Sequence, residues 1–256
     1  MSLILPSRRG LIAGGAALLG GALLSGCDRL SQAPRFRDFL GAGEALSQSA
    51  QRALLSGQPL AREFRPDQRS PSFRANGSTD PEAPDYRALA ERQFADYRLQ
   101  IGGLVARPLS LSLQQLRALP ARSQITRHDC VEGWSAIGGW TGVPLARLLA
   151  AAGLAGEARF IVFHCADHYG GGPDAYYESI DLFDAFHPQT ILAYEMNGAP
   201  LEIAHGAPLR LRVERQLGYK HAKYVMRIEA VESFEQIGRG RGGYWEDRGY
   251  QWYAGI

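Results

Sequence analysis

Alternation of apolar and polar positions marks a strand at Tyr97-Arg-Leu-Gln-Ile101, which the glycine pair Gly102-Gly103 then turns. Ser123–His128 reads as a second strand. Phe160-Ile-Val-Phe163 is a short unbroken apolar run, the pattern of a strand buried on both faces, Leu209–Val213 reads as another buried strand, and Tyr224–Phe234 is a longer strand. Helical spacing occurs at Leu111–Leu119, where Ser110 is the expected N-cap, and at Pro144–Ala152, which Gly153 ends. Upstream the periodicity fades. Residues 28–85 are rich in Arg, Ser, Gln, Pro and Gly, hold one short predicted helix at Leu46–Leu55, and are punctuated by Pro66, Pro71, Gly77, Pro81 and Pro84. This stretch reads as a tether leading into an irregular segment that wraps the core. Strands and short helices mix without steady βαβ alternation or internal repeat, so the expected class is α+β.

The first 27 residues stand apart. Pro-Ser-Arg8-Arg9-Gly-Leu-Ile precedes a run of Ala, Gly and Leu that ends Leu24-Ser-Gly-Cys27. A charged start, an apolar stretch of about 15 residues and small residues before the break make a signal segment, since a membrane span needs about 20. Arg8 and Arg9 resemble a twin-arginine signal, and Leu-Ser-Gly-Cys resembles a lipobox that would lipidate Cys27. Asp28 is similar to the residue that retains such lipoproteins at the inner membrane, so the expected location is the periplasm, with a lipid anchor.

Charge adds one exclusion and one anomaly. The net charge is +2, from 28 basic and 26 acidic residues, and without Arg8 and Arg9 the remainder balances. A nucleic-acid partner is therefore not expected, and the Gly238-Arg-Gly-Arg-Gly-Gly243 run reads as a glycine-rich turn. Only two of the bases are lysines, Lys220 and Lys223, in a chain that otherwise uses Arg. With 45% hydrophobic residues in 256, the chain is long enough to bury a sizeable core.

Three segments carry candidate chemistry. Arg127-His-Asp-Cys130-Val-Glu-Gly-Trp134 sets a thiol at a strand end, with Arg127 and His128 near enough in sequence to favour a thiolate; a buried structural cysteine is the alternative. His164-Cys165-Ala-Asp167-His168 offers four metal-ligand types in five residues, but its glycine-rich sequel prevents the helix that i, i+4 ligation by zinc requires. It reads as a strand end feeding a pocket, and a Cys130–Cys165 disulfide stays open. Gly218-Tyr-Lys220-His-Ala-Lys223, with His205-Gly-Ala-Pro-Leu-Arg210, supplies cations and amides able to hold a phosphate, against the alternative of a solvated basic loop.

In order and spacing these segments, with Trp140-Thr-Gly-Val-Pro-Leu145, Tyr177-Glu-Ser-Ile180 and Leu192-Ala-Tyr-Glu-Met-Asn-Gly198, resemble the molybdenum-cofactor domain of the sulfite oxidase family. The resemblance implies an oxidoreductase with a molybdopterin-binding domain of mixed sheets and short helices at residues 70–235. It also implies Cys130 as catalytic residue and thiolate ligand of molybdenum. Arg74, Asn76, Cys165, His205, Arg210, His221, Ala222 and Lys223 are the implied molybdopterin contacts. Around this domain the expected organisation is a signal at 1–27, a tether and N-terminal extension at 28–69, and a Gly/aromatic tail at 236–256.

The departures from the family pattern narrow the chemistry. Val131-Glu-Gly-Trp-Ser135 stands where sulfite oxidases carry Ala-Gly-Asn-Arg-Arg, so the cations expected to hold an oxyanion are replaced by an acid and an indole. Cys-Val-Glu-x-Trp-Ser is instead similar to the periplasmic branch that reduces protein methionine sulfoxide. Reduction of a sulfoxide or related S- or N-oxide, small or protein-bound, is the expected reaction. A sulfite-oxidising dehydrogenase and a cofactor-free binding or assembly lipoprotein are the alternatives. With no haem motif, electrons are expected from a membrane cytochrome b or another redox partner. With no room after residue 235 for an immunoglobulin-like domain, a monomer is expected.

Overall fold

The computed structural model describes residues 33–169 and 174–256. The signal features Arg8, Arg9 and Cys27, the start of the tether and residues 170–173 lie outside the described residues. The chain divides into two units, Met1–Leu54 and Leu55–Ile256. In the first, the described structure is α1 (Pro34–Leu54), where only Leu46–Leu55 was expected to be helical. Gly41 and Gly43 weaken the helical signal of its first half. Among the described residues, no helix is long and apolar enough to cross a membrane.

The second unit holds α2 (Pro84–Glu91), α3 (Leu113–Ala118), α4 (Leu145–Ala152) and α5 (Leu182–Ala185). Its strands are β1 (Arg98–Gly103), β2 (Leu109–Ser112), β3 (Arg122–Asp129), β4 (Ser135–Pro144) and β5 (Phe160–His168). They continue with β6 (Ala175–Asp181), β7 (Ile191–Met196), β8 (Ala199–Pro200), β9 (Arg210–Arg212) and β10 (Val225–Val231). One sheet runs β2-β1-β10-β5-β6 and the other β3-β4-β7-β8, with β9 paired to β7. Only β1 and β10 pair in parallel; the other pairs are antiparallel. Mixed sheets with short helices are the α+β class expected. One apolar cluster draws on both sheets: Leu99, Ile161, Phe163, Val225 and Ile228 from the first, Val143, Leu192, Tyr194 and Leu211 from the second, closed by Leu145, Leu148 and Leu149 of α4.

Several boundaries differ from the sequence reading for local reasons. The N-cap of α3 is Ser112, not Ser110: its hydroxyl accepts from the Gln115 amide while the Gln115 side chain accepts from the Ser112 amide. Leu111 and Ser112, expected to be helical, pair instead with β1. The pair Gly102-Gly103 ends β1 rather than turning it. Strand β4 was unforeseen because three of its ten residues are glycines, and β6 and β7 because neither alternates. All three are largely buried, so their neighbours on both faces supply what the pattern lacks.

The tail is part of the second unit. The Tyr244 amide donates to the Tyr177 carbonyl at 2.9 Å, and the Leu217 amide to the Ala254 carbonyl at 2.9 Å. The run Gly238–Gly243 turns around one carboxylate, Asp247, which accepts from the amides of Arg239 and Arg241.

Candidate active site

Hairpin β3–β4 ends in the loop Cys130–Trp134. The Cys130 amide donates to the Trp134 carbonyl at 2.9 Å and the Gly133 amide to the Cys130 carbonyl at 3.0 Å. Such a tight closure needs a left-handed residue, and Gly133 sits at φ +84°. The half-buried Cys130 thiol thereby lines an open cleft. Asn76, Gly77 and Ser78 line it from the strap before α2, Asp167 and Tyr169 from the end of β5, Gly218, Tyr219, His221 and Lys223 from the β9–β10 connection, and Trp245 and Tyr250 from the tail.

Arg127 turns to Asp129 at 2.9 Å on the exposed side of β3, and burial raises the Cys130 pKa; the Glu132 backbone amide opposes it, the Glu132 carboxylate adds to it, and Arg74 works against it. The expectation that Arg127 and His128 favour a thiolate is thus corrected: burial and Arg212 push the His128 pKa well down, so the imidazole is neutral at pH 7. Cys165 is also free, buried in the main apolar cluster, and burial raises its pKa well above the usual range. The disulfide alternative is absent. His164 bonds Glu229 at 2.9 Å, away from Cys165 in the alternation of β5. No group of three or more metal-ligating side chains occurs among the described residues.

Beside the cleft lies a cluster of nitrogen atoms without counter-charge. Arg210 is fully buried; its Nη1 donates to the His205 carbonyl at 2.9 Å, while Nε and Nη2 find no acceptor. Its guanidinium carbon lies 4.8 Å from the centroid of the Trp140 ring, which Arg212 also covers at 4.3 Å. Burial and Arg212 lower the Arg210 pKa to about 9. Arg212, by contrast, is neutralised by Glu214 at 2.5 Å and donates to His128 Nδ1 at 3.0 Å. That bond puts the His128 proton on Nε2, a buried donor with no acceptor. Gly218 is what lets this edge face the cleft: a Cβ there would stand 2.6 Å from His128 Nε2.

Lys223 Nζ donates to the carbonyls of Asn76 (2.8 Å), Ala204 (2.9 Å) and Ser78, pinning the strap. It has no carboxylate within salt-bridge distance, and burial with Arg210 lowers its pKa to about 7 although Asp167 opposes the shift. Asp167 mirrors it: burial raises its pKa to about 7 and its Oδ1 lacks a partner. His205 Nδ1 and His221 Nδ1 are likewise unpaired, and burial lowers both pKa values. His221 Nε2 donates to the Gln216 carbonyl at 3.0 Å.

Of the residues expected from sequence, Cys130, Asn76, His221 and Lys223 line the cleft together, and His205 and Arg210 stand behind Lys223, across Gly206. Ala222 is buried outside the cleft lining, its carbonyl accepting from the Leu211 amide and its amide donating to the Lys220 carbonyl. Arg74 stands apart, with a side chain 70% exposed and 3.9 Å from Glu132. Lys220, read with Lys223 as one phosphate-holding loop, points elsewhere, into the carboxylates of Glu178 and Glu246. Asp167 was foreseen only within the His164–His168 strand end; sequence reading missed Trp140, Arg212, Tyr219 and the tail aromatics as site residues. The Phe73 ring meets those of His128, Trp134, Trp140 and His205 within 6.2 Å. The one available signal was the aromatic tail itself, because Trp and Tyr beyond a core domain need somewhere to pack.

The donor set fits a molybdopterin. Unpaired buried N–H groups on Arg210 and His128 suit its phosphate and heteroatom-rich ring, and a thiol on the same cleft suits a soft metal.

A family model described as an oxidoreductase molybdopterin binding domain matches residues 87–237. A provisionally named protein-methionine-sulfoxide reductase subunit, YedZ1 of Azospira oryzae, is 42% identical over 65% of this chain and 59% of its own length. The protein-methionine-sulfoxide reductase catalytic subunit MsrP of Xanthomonas axonopodis pv. citri is 33% identical over 62% of this chain and 51% of its own. The chain thus spans little more than half the length of these relatives. The solved sulfane dehydrogenase SoxCD of Paracoccus pantotrophus aligns at TM-score 0.49 with 27% identity, over 59% of this chain and 45% of that one.

Proposed function

The chain belongs to the molybdopterin-binding oxidoreductase family, and from that premise we propose that it reduces a sulfoxide, or a related S- or N-oxide, by oxygen-atom transfer. For a sulfoxide the balance is R2SO plus two electrons and two protons giving R2S and water. The observation that carries the reading is the Cys130 cleft backed by uncompensated buried donors, with an acid and an indole rather than cations in the cysteine loop. Bound there, the cofactor supplies a two-electron, oxygen-transferring centre.

The chain's own residues divide the remaining work. Cys130 would supply a sulfur ligand to molybdenum, giving up the proton that burial otherwise favours on the thiol. Arg210, Lys223, His205, His221 and Asn76 hold the phosphate and pterin, with Arg74, Cys165 and Ala222 at the edges of that set. Asp167, protonated up to about pH 7, holds a proton on the cleft wall. Trp134 Nε1 donates to Glu132 at 3.0 Å, which keeps the loop carboxylate turned to the indole, so that the cysteine loop presents an acid and an indole rather than a cation. The names of the relatives, methionine-sulfoxide reductase subunits, support the sulfoxide assignment.

Electrons come, in this proposal, from a membrane cytochrome b or similar carrier to a monomeric enzyme in the periplasm. Export by Arg8 and Arg9 and anchoring by a lipidated Cys27 belong to the same proposal and rest on the sequence of the first 28 residues.

The test is Cys130→Ser in molybdenum-loaded enzyme, assayed against sulfoxides, N-oxides and sulfite. Loss of all turnover with pterin retained is expected, and a much milder effect from Cys165→Ser. Wild-type turnover by Cys130→Ser overturns the assignment, and sulfite oxidation by the wild type without sulfoxide reduction replaces it.

A further inference from the structure

One wall of the Cys130 cleft comes from beyond the region that the family model matches. Trp245 and Tyr250 follow residue 237, and both line the cleft. Their rings stack at 5.2 Å and 29°, Tyr250 meets Tyr219 edge-on at 5.2 Å, and Tyr169 meets Trp245 at 5.0 Å. Four rings therefore form one continuous aromatic surface. Val131, 43% exposed on the cysteine loop, adds an aliphatic group to the same cleft.

This surface is held in place from behind. Glu246 accepts from the buried Lys220 at 2.6 Å, and Asp247 accepts from Tyr177 Oη at 2.7 Å and gathers the amides of Arg239 and Arg241. Both acids lie between Trp245 and Tyr250 in the chain, so the anchoring is local to the pair. The short turn Glu246–Arg248 ends at Gly249, and the Tyr250 amide donates to the Trp245 carbonyl at 3.0 Å, which fixes the two rings against each other.

The chemistry of the wall is specific. Charged groups on the cleft are confined to Glu132, Asp167 and Lys223, and none belongs to the aromatic set. Ring faces and edges attract polarizable sulfur and apolar substituents, and they offer an anion nothing. We infer that Trp245 and Tyr250 are specificity-determining residues, against which the substituents of a neutral, apolar or aromatic sulfoxide pack. The inference rests on the sulfoxide-reducing reading and adds the substrate class to it. It also gives the tail, which the matched domain does not include, a part in the reaction.

The experiment compares methyl phenyl sulfoxide with dimethyl sulfoxide on molybdenum-loaded full-length enzyme. In Trp245→Ala and Tyr250→Ala the KM for methyl phenyl sulfoxide is expected to rise about tenfold, the scale at which an apolar pocket discriminates. The kcat/KM preference for it over dimethyl sulfoxide falls by the same factor, at an unchanged molybdenum-to-protein ratio. Trp245→Phe, which keeps a ring, retains most of the preference. Binding of methyl phenyl sulfide by calorimetry needs no turnover, and Trp245→Ala is expected to weaken it about tenfold. Equal losses for both sulfoxides, or sulfide binding indifferent to both substitutions, overturn the wall. A wild type that binds the sulfide through Trp245 but reduces neither sulfoxide upholds the wall and overturns the reaction.

Discussion

Lys220 and Lys223 are the chain's only lysines, three residues apart and both buried, yet their surroundings are opposite. Lys220 meets two carboxylates, Glu178 and Glu246, all three side chains at most 1% exposed. Burial works against its charge, but the two acids outweigh it and raise its pKa; burial and Glu246 raise that of Glu178. Lys223 meets three carbonyls and no carboxylate, beside an Arg210 with two unpaired nitrogens. In the trio the charges compensate one another, although one oxygen of each carboxylate lacks a partner, and no outside anion is called for. An uncompensated pair is costly in the free protein and becomes favourable when an anion arrives, which is how an anion site differs from a structural ion cluster.

The largest test of this contrast is Arg210→Ala with Lys223→Ala. Charge-assisted hydrogen bonds to a phosphate contribute about 1.5–3 kcal/mol each, so losing two should weaken cofactor binding by about 3–6 kcal/mol. The molybdenum-to-protein ratio at limiting cofactor should collapse while the apoprotein stays folded. Full loading would show that these cations do not hold the cofactor.

Lys220→Met should act on the other side of the comparison. Stranding two buried acids costs about 3–5 kcal/mol of stability, visible as a lower denaturant midpoint in apoprotein and holoprotein alike. A loss confined to the loaded protein would mean that Lys220 also serves the cofactor.

Asp167 sharpens the contrast through pH. Its folded pKa of about 7 lies above the ordinary 3.8, so its proton stabilises the folded apoprotein fully below about pH 4, and that contribution is lost as pH rises through 7. Asp167→Asn has no such proton to lose. The stability difference between wild type and variant should therefore shift by about 2–4 kcal/mol against the wild type from pH 4 to 7, read from urea midpoints of apoprotein. Parallel curves would place Asp167 in water rather than on a dry wall.

The smallest effect is expected at Arg74. Its side chain is 70% exposed and only loosely paired with Glu132, so Arg74→Ala should change cofactor loading by less than about 0.5 kcal/mol, roughly twofold. A tenfold loss would bring Arg74 into the anion site after all.

Much of this molecule was legible without coordinates. Tyr97–Ile101, Ser123–His128 and Phe160–Phe163 announce strands because period and apolar runs are local properties, and each lies within a strand or one residue outside it. Cys130 at a strand end, followed by glycine, is equally local, as is the cationic block from His205 to Lys223. Strands β4, β6 and β7 were not legible, since a glycine-rich or evenly apolar run is a strand only once neighbours on both sides complete it.

The sequence by itself determined the class of fold, the thiol-bearing loop and the presence of a basic block. Tertiary structure alone decided which lysine faces the cleft, because Lys220 finds its acids 42 and 26 residues away. It alone joined Trp140 to Arg210 and Arg212, left the Arg210 nitrogens without partners, and brought Trp245 and Tyr250 to the Cys130 cleft. The physical reason is common to all three. Charge compensation, hydrogen-bond satisfaction and ring packing depend on distance in space, and residues far apart in the chain acquire that distance only when the two sheets close on one core.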